Sequence, residues 1–261
     1  MEVKLTTPRV AALGITVFWA AMMGSLVNRE LMPTWTSRGA VGYGSLLSPN
    51  EVSRQSRMGV YFRGLRIGSV DTLVRRTADQ GVELISQMVI SLADLNLPLL
   101  AELRRVHTSL HARVGADQRL RTFEFIVREP MRVIIKGRVA GDRLKVTTQF
   151  PGAPATEREE RFDPRVIMAN EFSPFLGVHH LHVGKQWQLA TFNPLTREMA
   201  RVTVTVTAKE TRTIAGEPQD VFVLTSEYAG VRVKSWVTAQ GEVLRQETPY
   251  GFSLRREPNP T

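Results

Sequence analysis

The chain has 261 residues, 43% of them hydrophobic, enough to bury a core in one large β domain or two small ones. Cysteine is absent, which excludes disulfides, thiolate nucleophiles and cysteine-ligated zinc or iron–sulfur centres. The formal net charge of +9 is carried mostly by arginines that are scattered and interleaved with acids, as in Arg158-Glu159-Glu160-Arg161, so no nucleic-acid-binding arm is present.

Val10 to Val27 (VAALGITVFWAAMMGSLV) is the one long apolar run, without a charge, flanked by Lys4 and Arg9 before it and Arg29-Glu30 after it. Its length suits a crossing of the hydrocarbon core. The positions where a signal peptidase would cut offer Ala21 and Met23, or Met22 and Gly24, neither of which fits an A-x-A-like pattern. The expectation is therefore an uncleaved, single-pass signal anchor over residues 1–30, with the alternative of a cleaved signal peptide. Basic residues on both flanks leave the charge rule indecisive. The short tail before the run and the long chain after it put the tail inside and the C-terminal domain outside. Residues 31–56 hold Pro33, Gly39, Gly42, Gly44, Ser45, Ser48 and Pro49 and read as a linker.

From Met58 onward the pattern is β. Val60-Tyr61-Phe62 and Ile67 to Arg76 form strands around a turn at Gly64, and Val82 to Leu92 follows the Asp79-Gln80-Gly81 turn. The segment Asn96 to Arg104 reads as a loop or a short helix. Val106 to Val114, Leu120 to Arg128, Arg132 to Ala140 and Leu144 to Phe150 alternate again, and Thr156 to Phe162 is short and charged, as an edge strand should be. Residues 163–186 interrupt the pattern: Asp163-Pro164 offers a helix N-cap and first position, and Val166, Ile167, Asn170 and Glu171 continue a short helix. After Trp187 to Phe192 comes the clearest stretch, Arg201 to Pro258. Here Val202-Val204-Val206 alternates with Thr203-Thr205-Thr207, and Val231-Val233-Ser235-Val237 alternates with Arg232-Lys234-Trp236. Gly230 and Gly241 mark its hairpins. The fold expected over 57–258 is mainly β: one large curled antiparallel sheet, half-barrel or barrel-like, with a helical insert at 163–186. So many strands cannot lie flat. A two-sheet sandwich is the alternative.

Chemistry is sparse. His179-His180-x-His182 resembles a metal cluster, but neighbouring residues on a strand point to opposite faces and no acid is close in sequence. His107 and His111 lack the intervening glutamate of a zinc-protease helix, and on a strand they would stand roughly 13 Å apart. No nucleophile elbow, phosphate loop or dinucleotide fingerprint occurs. No catalytic residue, metal site or cofactor is therefore assigned.

Several short stretches carry a likeness. Tyr61-Phe62-x-Gly64-x-x-Ile67-Gly68, Thr213-Ile214-Ala215-Gly216, Val221-Phe222-Val223, Trp236-Val237, Gly241-Glu242-Val243-Leu244-Arg245 and Pro249-Tyr250-Gly251 together resemble a family of bacterial envelope proteins of uncharacterised function. The arrangement is also distantly similar to the periplasmic lipoprotein carriers, whose half-barrels shelter acyl chains beneath helices. The resemblance implies a bacterial inner-membrane protein with its C-terminal domain in the periplasm, and it supplies no catalytic residue. Two functions follow as expectations. In the first, the curled sheet is a non-enzymatic receptor for a lipid, an acylated protein or another apolar ligand. Phe172, Phe175 and Leu176 form its lid, and His180, Trp187, Tyr228 and Trp236 line it. In the second, the protein is a structural or assembly subunit of a membrane complex, with an exported β domain presenting a basic face.

Overall fold

Alternating residues put one side of each strand in the core and the other in solvent, and this period-two pattern recurs along almost every strand of the computed structural model. The model describes residues 43, 46–47, 50–93, 104–129, 131–168, 180–214, 217–228 and 230–257. The first eight strands are β1 (Ser53–Phe62), β2 (Leu65–Arg76), β3 (Val82–Ser91), β4 (Arg105–Val114), β5 (Leu120–Glu129), β6 (Val133–Ala140), β7 (Arg143–Gln149) and β8 (Thr156–Arg161). They are followed by β9 (Ile167–Met168), β10 (Gln186–Asn193), β11 (Glu198–Ile214), β12 (Glu217–Tyr228), β13 (Val231–Val237), β14 (Val243–Glu247) and β15 (Phe252–Glu257).

All fifteen belong to one sheet, ordered β8-β7-β6-β5-β4-β3-β2-β1-β15-β14-β13-β12-β11-β10-β9. Sequence neighbours from β1 to β8 and from β10 to β15 pair antiparallel, and β1 joins the halves by pairing antiparallel with β15, Val60 facing Leu254. A single sheet rules out the sandwich. The sheet is curled and unclosed: its edge strands, β8 and β9, are separated by only the five residues 162–166. That short segment spans the seam. Phe162 donates its amide to the carbonyl of Asp142, and the Pro164 carbonyl accepts from the Leu120 amide at 2.7 Å.

The inside of the curl is filled from both walls. Phe123 of β5 lies 5.9 Å from Phe192 of β10, and Phe162 meets Phe192 edge to face at 5.2 Å. One continuous cluster of buried residues runs from Met58 and Leu84 through Leu120 and Leu144 to Val206, Leu224 and Leu254. Gly137 is required inside it, because a Cβ there would stand 2.0 Å from the Phe123 ring. The phenyl group covers the glycine in the facing position of β5, as their register pairing demands.

Two sequence expectations change. Residues 31–56 are not wholly a linker: Tyr43, Leu46 and Leu47 are buried in the core, and β1 begins at Ser53. The Met168 amide donates to the Tyr43 hydroxyl at 2.8 Å, and burial pushes that phenol's pKa up. The helix expected from Val166 onward is replaced at Ile167–Met168 by β9, which pairs parallel with β10. The rest of the insert, 169–179, lies outside the described residues, as does the apolar run Val10 to Val27. Among the described residues no helix is long and apolar enough to cross a membrane.

Candidate functional site on the outer face

The residues expected to line one apolar site do not come together. Trp187, on β10, faces the core opposite Val204 and is 5% exposed. Tyr228 ends β12, exposed, on the same side of the strand as Leu224. Trp236 is on the opposite side. It leaves the main core and joins Val221, Val223 and Leu244 in a second, smaller cluster on the outer face. His180 is a turn residue with a left-handed φ of 57°, and its carbonyl accepts from Lys185 Nζ at 3.1 Å. His182 Nδ1 lies 3.2 Å from the Val183 carbonyl. Among the described residues no group of three or more metal-binding side chains converges. Phe172, Phe175 and Leu176 lie outside the described residues.

The outer face carries the polar chemistry, in two regions. The first surrounds Trp236. Its indole N–H donates to Glu210 Oε1 at 2.6 Å. Arg212 lies over the ring at 4.7 Å, Lys234 at 4.8 Å and Arg245 at 5.5 Å. Hydrogen bonding from Trp236, with the neighbouring Arg212 and Lys234 charges, outweighs desolvation and holds the Glu210 carboxyl below its usual range. Register then sets Trp236 opposite Arg245, and Arg245 opposite Arg255 on β15. Arg255 stacks on Tyr61 at 4.5 Å. Two guanidinium groups thus stand directly opposite each other, an arrangement that costs free energy in an isolated sheet. Both buried Nε atoms lack an acceptor among the described residues. This patch is an aromatic–arginine surface, the composition that carries binding energy in protein interfaces.

The second region is a groove of about 510 Å³ on the outer face of β4 to β8, lined chiefly by His111, Arg113, Thr122, Lys136, Arg138 and Lys145. Two of its lining residues, His111 and Arg113, contact Glu83, which is 3% exposed although it sits on the solvent side of β3. Three basic residues enclose that carboxylate. Arg75 donates to it, His111 Nε2 lies 2.6 Å from Oε1, and Arg113 Nε is 3.6 Å away. Burial pushes the Glu83 carboxyl up, but the hydrogen bonds from Arg75 and His111 and their charges prevail, and its pKa lies below the usual carboxylate range. Glu83, Arg113, Thr122, Arg138 and Lys145 stand in one cross-strand row, β3 to β7.

The sequence reading missed both regions, although a signal for the first was present. The alternation already placed Trp236 with Arg232 and Lys234, away from Val231, Val233 and Val237. No comparable signal exists for Glu83 and His111, which meet only through the β3–β4 register.

By its fold, then, the described part of the chain is mainly β, built on one curled, unclosed and almost wholly antiparallel sheet with a packed interior. No protein-family model matches the chain, and no curated protein matches it. Among solved structures it is similar to a beta-barrel-like protein of domain of unknown function DUF1849 from Brucella abortus. That likeness has a TM-score of 0.47 at 14% identity and covers 79% of this chain and 95% of that one.

Proposed function

We propose that the protein is a non-enzymatic, membrane-anchored envelope protein that serves as an assembly subunit. It holds an acidic partner protein on the outer face of β11 to β15 and β1. The observation that carries the reading is the patch around Trp236: Arg212, Lys234, Arg245 and Arg255 outnumber the carboxylates of Glu210, Glu247 and Glu257 within it. Arginine stacked on an aromatic ring has already lost much of its side-chain freedom, so less remains to be lost when a partner's carboxylates dock. Val10 to Val27 supplies the membrane anchor in this reading and fixes the domain near its complex. The test is native electrophoresis of membranes solubilised in mild detergent. The wild-type chain should migrate in a complex, and R245E/R255E should release it while circular dichroism shows the β domain intact. Co-migration of that variant with the complex would defeat the proposal.

A second reading, a receptor for a lipid or other apolar ligand inside the curl, has one specific observation in its favour. The Trp187 indole N–H is buried among apolar residues and has no acceptor among the described residues. A buried donor left unpaired costs free energy, and the carbonyl of an ester-linked chain would pair it. Native mass spectrometry of the detergent-extracted chain separates the readings: a retained lipid lost on W187F supports the receptor.

A further inference from the structure

We infer that the groove on β4 to β8 is a binding site for a small phosphate-type oxyanion, distinct from the Trp236 patch and independent of the partner proposed there. Arg138 and Lys145 face each other directly on β6 and β7, and Thr122 faces Arg138 from β5. Arg113 in turn faces Thr122 from β4. Directly opposed side chains have their Cβ atoms roughly 5 Å apart, so two cations held there repel each other without a counter-charge.

The carboxylates that line the groove are engaged by the lysines beside Arg138, and none is paired with Arg138 itself. Lys136 pairs with Glu124 at 2.8 Å, and Lys145 with Glu157 at 2.8 Å. Arg113 Nε lies 3.6 Å from Glu83 Oε1. Arg138 has no ion-pair partner among the described residues, and it stands exposed in the middle of the row. Of the groove's four cations, Arg113 faces Glu83, Lys136 faces Glu124 and Lys145 faces Glu159 and pairs with Glu157, which leaves Arg138 with a hydroxyl and a cation as its cross-strand neighbours. Thr122 adds a hydroxyl donor between the two guanidinium groups.

The chemical class follows from these donors. Arg138 offers a planar fork suited to two oxygens of one anion, Lys145 a point charge and Thr122 a single hydrogen bond. A tetrahedral oxyanion presents several acceptors to such a set, whereas an apolar group presents none. Glu83 is a positioning residue here: it fixes His111 and Arg113 against the back of the groove and does not itself reach the anion.

Calorimetric titration of inorganic pyrophosphate into the full chain in neutral detergent at low ionic strength tests the site. Binding at one site is expected, weakened about tenfold or more by R138Q and by K145Q. R245Q should bind as the wild type does. A parallel titration uses monomeric dihexanoyl phosphatidic acid. Tighter binding of the lipid than of pyrophosphate assigns the site to a headgroup, and equal or weaker binding assigns it to a soluble phosphate; both support the inference. Absence of binding to either probe, or wild-type affinity in R138Q, would overturn it. Loss of binding in R245Q with R138Q unaffected would place the anion at the Trp236 patch and overturn it as well.

Discussion

Replacing Tyr43 by phenylalanine probes a contact that ties residues well before β1 to the last edge of the sheet. Tyr43 is fully buried, and its hydroxyl oxygen accepts the amide of Met168, itself fully buried on β9. Phenylalanine keeps the ring and its packing but leaves a buried N–H without a partner. The cost of such an orphan is about 1–3 kcal/mol. With a urea m-value of about 2 kcal/mol/M, the midpoint should fall by roughly 1 M with the slope unchanged. Y43A removes the ring as well and should cost about 3–5 kcal/mol. Equilibrium urea unfolding followed by tryptophan fluorescence measures both. A surface position in a loose linker would change stability by no more than about 0.5 kcal/mol. If both variants unfold like the wild type, Tyr43 does not belong to the core, and the packing of the seam described above is wrong.

Further outcomes follow from the same contacts. G137A drives a methyl group into the Phe123 ring and should destabilise by about 1–3 kcal/mol; F123L/G137A should recover part of that loss, a coupling that a double-mutant cycle detects. E83Q should destabilise by about 1–3 kcal/mol at pH 7, because Arg75 and His111 lose a charged acceptor. The Glu83 pKa is depressed on folding, so its contribution is fully present above the unfolded value and disappears as pH falls through the folded one. The gap between E83Q and wild type in thermal melts should therefore close below about pH 4.3. W236F removes the donor to Glu210 and should return that carboxyl toward its ordinary range, read by carboxylate NMR titration; an unmoved Glu210 pKa would contradict the assignment.

Most of the sheet was legible because alternation and glycine turns report strands locally. β2 to β7 appear in the sequence nearly with their final bounds, since each strand buries one face and needs no distant information to reveal it. What sequence reasoning missed depends on distance. Tyr43 sits in a Gly- and Pro-containing segment where a lone aromatic has no period, so its burial comes only from the core it meets. β9 is two residues long and exists because β10 offers a free edge. The final strand, Phe252–Glu257, was not separated from the turn before it, yet its pairing with β1 joins the two halves of the sheet. The candidate site was less legible. Trp236, Tyr228 and Trp187 were grouped as one lining because large aromatics suit cavities, but the strand parity sends Trp236 outward. The row of Arg113, Thr122, Arg138 and Lys145 is assembled from four strands, and its register is a product of three hairpins.

The central claim is that the curled sheet is packed inside and binds through its outer face. Native electrophoresis of solubilised membranes, comparing the wild-type chain, R245E/R255E and W187F, tests it most directly. The account predicts that R245E/R255E leaves the complex while W187F remains in it, both variants keeping wild-type β circular dichroism. Retention of R245E/R255E together with loss of W187F would contradict it and place the binding surface inside the sheet.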